Sequence, residues 1–183
     1  MSISKDFREH AIAAIPGLRA FALSLTSRSD RADDLVQETL MKAWKHHDSF
    51  EPGSNMKAWL YTILRNEFYT QLRKRKREVE DADNFYSSKV AVHGEQEGHL
   101  DMADLRVALA KLPDDQREAL ILVGASGFSY EEAAEICKVA IGTIKSRVNR
   151  GRAKLAELLG ISVDEKFGPD PSIAAVLSNP FRN

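Results

Sequence analysis

The chain has 183 residues, room for one medium domain or two small ones, and its 26 basic and 27 acidic residues leave a formal charge of -1. Total charge therefore points to no anionic partner, and only the distribution of charge along the chain carries information. A single cysteine, Cys137, excludes an internal disulfide, and the absence of a Cys/His cluster with zinc-ligand spacing predicts neither metal nor cofactor.

The opening "MSISKDFREHAIAAIPGLRA" has no apolar core of signal-peptide type, and no apolar run reaches membrane-spanning length. A cytoplasmic protein without membrane attachment is expected. Nearly every segment reads as helix, with no sustained alternation of period two. Residues 4 to 26 hold one or two helices, which Pro16 is expected to break or kink. Ser29 is the expected N-cap of "RADDLVQETLMKAWKHH", whose inner face is Ala32, Leu35, Val36, Thr39, Leu40 and Ala43. The loop "DSFEPGSN" follows, with Ser54 expected to cap a third helix. There Met56, Trp59, Leu60, Ile63, Leu64, Phe68 and Leu72 recur at helical spacing, which places Trp59 in the core, and the helix is expected to end in "RKRKR", residues 73 to 77. Three such helices make a small bundle over residues 1–77.

Composition then changes. From Glu78 to Asp104 there are eight acids against one lysine, with little periodicity, so 78–101 reads as a flexible acidic linker. Residues 102–160 read as a second domain of four helices. Pro113 stands near the start of "DDQREALILVGA", and Gly127 breaks the chain. Ser129 and Glu132 form a capping-box pattern, and "KVAI" turns into "IGTIKSRVNRGRAKL". That last stretch carries five basic residues and no acid. Ile141, Ile144, Val148, Gly151 and Leu155 fall on one helical stripe, with Gly142, Lys145, Ser146, Asn149, Arg150 and Ala153 opposite. A helix pair with a tight turn and a basic second helix is a helix-turn-helix, whose second helix enters the major groove. Thr143, Lys145, Ser146, Arg147, Asn149 and Arg150 are its candidate base-reading and backbone-contacting residues. The alternative is a solvated surface helix. The tail, 161–183, has Gly and Pro around a short apolar run, Ile173 to Leu177, and is expected to be loose, with a partner-binding helix as the alternative. The fold class is thus all-α, two small helical domains on a flexible linker.

Three stretches in this order, "DDLVQETLMKAWKHHDSF", "MKAWLYTILRNEFYTQLRKRKR" and "LPDDQREALILVGASGFSYEEAAEICKVAIGTIKSRVNRGRAKL", resemble bacterial RNA polymerase sigma factors of the extracytoplasmic-function (ECF) class. "TILRNEFYTQLRKRKREVED" resembles the EcfG group, which directs a general stress response in alphaproteobacteria. The resemblance implies that residues 1–77 are region 2 and residues 102–160 region 4. It implies docking of Asp33, Asp34, Gln37 and Glu38 on a coiled coil of the polymerase β′ subunit, and contact with the β flap. It implies capture of a melted −10 strand by Phe50, Ser54, Asn55, Arg65, Asn66, Arg73, Lys74 and Arg77, for which cations along the backbone and a pocket for unstacked bases are the physical need. The helix-turn-helix would read a −35 duplex. An anti-sigma factor is the further partner implied, and the free protein is expected to be a monomer. The turn carries Lys138 where such proteins more often have glycine, and Ala140 replaces a common proline.

A sigma-like decoy that binds an anti-sigma factor without touching DNA is the second reading, though it has no need of the basic "KSRVNRGR" face. A free-standing dimeric repressor is the third, and nothing reads as its dimerisation helix. Adjacent residues in "HHD", 46 to 48, point apart on a helix end and make a poor metal site. Cys137, beside Ala133, Ala134 and Ile136, reads as a small buried hydrophobe. No catalysis is expected of the chain.

Overall fold

The computed structural model describes residues 5–81 and 102–161. Every regular element among them is helical: α1 Lys5–Thr26, α2 Ser29–Lys45, a 3₁₀ turn at His47–Ser49, α3 Met56–Asp81, α4 Met102–Ala110, α5 Asp114–Gly124, α6 Tyr130–Cys137 and α7 Ile141–Leu159. The expected apolar run Ile173 to Leu177 and residues 82–101 of the expected linker lie outside the described residues.

Helix α1 runs unbroken through Pro16, so of the two expected effects, a break or a kink, the break does not occur. A proline inside a helix costs about 3 kcal/mol. The stripe of Phe7, Ala11, Leu18, Phe21, Ala22 and Leu25 is buried along the whole length of α1, and each large side chain among them contributes about 1.5–3 kcal/mol. Burial outweighs the proline. Next to it, Gly17 lets α1 approach α3 closely, since a β-carbon there would stand 2.7 Å from the Tyr61 hydroxyl.

Both expected N-caps fall one residue away. Arg28 is the N-cap of α2, in extended conformation and without a side-chain cap bond, and Ser29 is the first helical residue. For α3 the cap is Asn55, whose Oδ1 accepts from the Ala58 amide at 3.1 Å, while the Ser54 hydroxyl donates to the Glu51 carbonyl at 2.7 Å. Asn outranks Ser only slightly as a cap, so loop geometry decides between neighbours. Helix α3 also continues to Asp81, four residues past the expected end at Arg77. Its Leu72, expected on the apolar stripe, is 37% exposed because the helix has by then left the bundle.

Of the expected inner face of α2, Ala32, Leu35, Val36, Thr39 and Ala43 are buried, and Leu40 is half-buried against the core. Trp59 is half-buried against Phe50 at 5.3 Å and Phe7 at 6.0 Å. In the C-terminal half, the Ser129–Glu132 capping box is formed in both directions. Lys138 takes the left-handed conformation at φ 54°, a cost of about 1–2 kcal/mol for a residue with a β-carbon, and the amides of Lys138 and Val139 close the end of α6 on the carbonyls of Glu135 and Ala134.

The two halves pack into one body. Phe21 stacks on Tyr61 at 5.0 Å, and Tyr61 meets Phe128 of the C-terminal half edge-on at 4.9 Å, so a single apolar cluster crosses the boundary. Helix α5 lies on α1 and helix α6 on α3. Sequence alone gave no placement for the halves; here it is close contact.

Candidate nucleic-acid interface

Helix α7 is held from behind by Ile144, Val148 and Gly151, all buried against the domain, whereas Ile141 at the start of the expected stripe is 40% exposed. The opposite face is open. Thr143, Lys145, Asn149 and Arg150 are exposed, and Ser146 is half-buried. Lys145 also stands 5.9 Å from the Tyr130 ring, a long cation–π contact that lays its stem over α6. Arg147 behaves differently. Its Nε pairs with Asp115 Oδ2 at 3.1 Å and its side chain is only 22% exposed, so it ties α7 to α5. Two cations and an amide on one open helical face suit a major groove, where bidentate Arg and Asn contacts discriminate base edges.

On the N-terminal half, α2 shows Asp34 and Gln37 exposed and Glu38 half-buried. Asp33 is bound to Arg19 at 2.6 Å, and this guanidinium, first by its hydrogen bond and then by its charge, holds the carboxyl below its ordinary range. Lys42 bridges to Glu67 of α3 and lies 3.9 Å from Glu38. Burial acts to raise the Glu67 carboxyl, but hydrogen bonds from Lys42 and Gln71 outweigh it and hold the group below its usual value.

The expected strand-capture residues divide into two sets. Asn66, Arg73, Lys74 and Arg77 line the outer side of α3 and are exposed; Arg73 donates to Thr70 Oγ1 at 3.3 Å, and Arg77 to the Arg73 carbonyl at 3.5 Å. Asn66 opens onto a cleft of about 280 Å³ between α2 and α3, shared with Lys42, His46, Trp59, Glu67 and Thr70. Of the others, Ser54 is exposed and donates to the Glu51 carbonyl, while Phe50, Asn55 and Arg65 are engaged with neighbouring parts of the chain, Asn55 at the surface. Phe50 packs on Phe7 at 5.9 Å, and Asn55 Nδ2 donates to Glu132 Oε1 of α6 at 2.8 Å. Arg65 pairs with Glu118 of α5, Nε to Oε1 at 2.7 Å, and its guanidinium also lies 4.7 Å from the Tyr69 ring.

Sequence reasoning missed the α5 pair Arg117 and Glu118. Both are buried. Arg117 donates to the carbonyls of Leu109 and Ala110 at the end of α4 and of Leu25 at the end of α1, and bonds Asp114. A cation on two helix C-termini is favourably placed. Glu118 faces Arg65 and accepts from the Tyr69 hydroxyl at 3.3 Å. Burial pushes its carboxyl up, an effect Arg65 only partly offsets; burial also opposes the Arg65 charge, but Glu118 more than restores it. The adjacent opposite charges in "DDQREALIL" were the available signal, because a helix whose other residues are apolar seldom buries two charges without partners.

The geometry is that of a two-part helical protein: a helix-turn-helix with an open cationic face, and a three-helix bundle with a basic outer helix. Residues 13–78 match the family model for Sigma-70 region 2, and residues 102–155 match that for Sigma-70 region 4. The chain is 58% identical to the ECF RNA polymerase sigma factor EcfG of Rhodopseudomonas palustris over 97% of this chain and 98% of that one. Among solved structures it resembles the sigma factor RpoE of Bartonella quintana, solved with the anti-sigma factor NepR: TM-score 0.78 and 61% identity, covering 87% of this chain and 100% of that one. A second is CnrH, solved with the cytosolic domain of CnrY, at TM-score 0.61 and 25% identity over 84% and 87%. The chain belongs to the ECF RNA polymerase sigma factors, which act in transcription initiation. Near-complete alignment to a sigma factor sets the decoy reading aside. No helix among the described residues is long and apolar enough to cross a membrane.

Proposed function

We propose that the chain supplies promoter specificity to core RNA polymerase in a general stress response and contributes no catalysis of its own. Lys145, Asn149 and Arg150 read the −35 duplex with Thr143 and Ser146 beside them, and Arg147 fixes the pitch of α7. Asn66, Arg73, Lys74 and Arg77 hold the melted −10 strand, with Arg65 and Asn55 joining them once released. Asp34, Gln37 and Glu38 meet the β′ coiled coil, and region 4 meets the β flap. An anti-sigma factor restrains the protein in the cytoplasm, a reading supported by the RpoE–NepR and CnrH–CnrY complexes.

The observation that carries the reading is the open cationic face of α7 directly behind which Ile144, Val148 and Gly151 are buried. Run-off transcription with core polymerase tests it, on a stress-type promoter and on the same promoter with its −35 element scrambled. A transcript that needs both the protein and the intact −35 element is the expected result. A transcript insensitive to the −35 sequence would sink the assignment of α7.

A further inference from the structure

The two Glu118 contacts described above both reach across the boundary between the halves. Its charged partner, Arg65, and its hydroxyl donor, Tyr69, lie on α3, one helical turn apart. Glu118 itself is fully buried. A carboxylate is placed in such a position only with a counter-charge, since the desolvation of an unpaired ion is not recovered. Three polar contacts flank it on the same boundary: Arg117 to the Leu25 carbonyl at 3.3 Å, Asn55 to Glu132 at 2.8 Å, and Lys57 Nζ to the Ser126 carbonyl at 2.5 Å. Lys57 also lies 4.7 Å from the Phe128 ring.

This closed body cannot read a whole promoter. Elements named −35 and −10 stand about 25 base steps apart, about 85 Å along the duplex at 3.4 Å per step. A compact protein of 183 residues has a radius of gyration of about 16 Å and is about 41 Å across. The halves must part before both elements are touched, and parting breaks the bridge from Arg65 to Glu118. The guanidinium freed by that step is one of the cations at the −10 surface.

We propose that Glu118 is an autoinhibitory latch: it occupies Arg65 and holds the two halves closed, and a phosphate of the promoter strand takes its place when they separate. Carboxylate and phosphate are the two anions that a guanidinium fork fits best, so the exchange keeps Arg65 paired in both states. The free protein is thereby kept from nucleic acid by its own chain, independently of any second protein. The latch rests in part on the reading of Arg65 as a strand contact, and the test separates the two.

The test uses the full chain with Glu118→Ala, which removes the counter-charge but suits a helix, and with Tyr69→Phe, which removes only the hydroxyl. Small-angle X-ray scattering reads the radius of gyration, and fluorescence anisotropy reads binding of a labelled 12-nucleotide single strand. Circular dichroism verifies that helix content is retained. The expected result is a larger radius for Glu118→Ala and about tenfold tighter strand binding, with Tyr69→Phe between it and the unmodified chain; tenfold is the weight of one charge-assisted hydrogen bond. A wild-type radius in both variants overturns the latch. A larger radius with unchanged strand affinity leaves the closure standing and overturns the exchange of Arg65 onto phosphate. If Glu118→Ala loses helix content, Tyr69→Phe alone decides by the same two readings.

Discussion

Gly151 of α7 passes so close to α5 that a β-carbon on it would stand 3.3 Å from the carbonyl oxygen of Gln116. Helix α7 is thus seated on the backbone of its neighbour, with Ile144 and Val148 fully buried on the same stripe. Gly151→Leu is expected to cost about 1–3 kcal/mol through forced displacement of α7. Thermal unfolding followed by circular dichroism measures it, and an unchanged melting temperature would mean that the helix tilts freely.

Arg147 and Arg150, three residues apart, are expected to differ in kind. On the proposed function Arg150→Ala removes a base contact, and it is expected to cost about 1–3 kcal/mol of binding and to relax selection at one −35 position. Arg147→Ala loses the pairing with Asp115, which is partly exposed, and costs at most about 1 kcal/mol of stability with the −35 preference unaltered. Binding selections on randomised −35 duplexes distinguish them. An equal loss on every sequence would make Arg150 a phosphate contact.

On α2, charge reversal at Asp34 should weaken association with core polymerase while leaving the melting temperature unchanged, because Asp34 is exposed. The same change at Asp33 should also disturb the fold locally, since Asp33 holds Arg19 across from α1. A pull-down with core enzyme, run beside thermal melts, reports both. Full retention of Asp34→Lys on polymerase would rule out α2 as the docking helix.

Acid stability follows from Glu67. Its carboxyl is held below the ordinary 4.5 by hydrogen bonds that overcome burial, so its contribution is complete above about 4.5 and fades as pH falls through the lowered native value. Lys42→Met removes the main donor and should remove that contribution. The expected sign is a loss of stability near neutral pH that shrinks as the solution is acidified through this range. Urea melts at pH 7 and pH 3 give the two values, and an equal loss at both would show that the bridge is electrostatically neutral.

Cys137 should be inert while the protein is folded. Burial, reinforced by the neighbouring Glu118 charge, pushes its thiol up to about 12, and the side chain is 3% exposed. Alkylation by a maleimide at pH 7.5 is expected to be slow in the native protein and complete in denaturant. Rapid native labelling would reveal frequent opening around α6.

The Ser129–Glu132 capping box and the buried face of α2 were both legible in the sequence. The first is a contact between residues three positions apart and the second a stripe of helical period, and each leaves a mark in local spacing. Where neighbours were nearly equivalent, as Ser54 and Asn55 were for capping α3, the mark was ambiguous and the loop path chose. Pro16 shows the limit of local rules, because a helix forbidden locally was kept by burial along its length.

The sequence by itself displayed helical periodicity on both sides of an acidic stretch and a basic amphipathic helix, and its motifs pointed by resemblance to the sigma factors. Periodicity and charge order are features that a linear chain displays directly. Only the tertiary structure decided which cations are available: it left Arg150 and Arg73 open, gave Arg147 to Asp115, and placed Arg65 against a buried carboxylate from the other half. The reason is physical. A guanidinium carries the same charge everywhere in a sequence, but what it binds depends on the anion that folding brings within 3 Å of it.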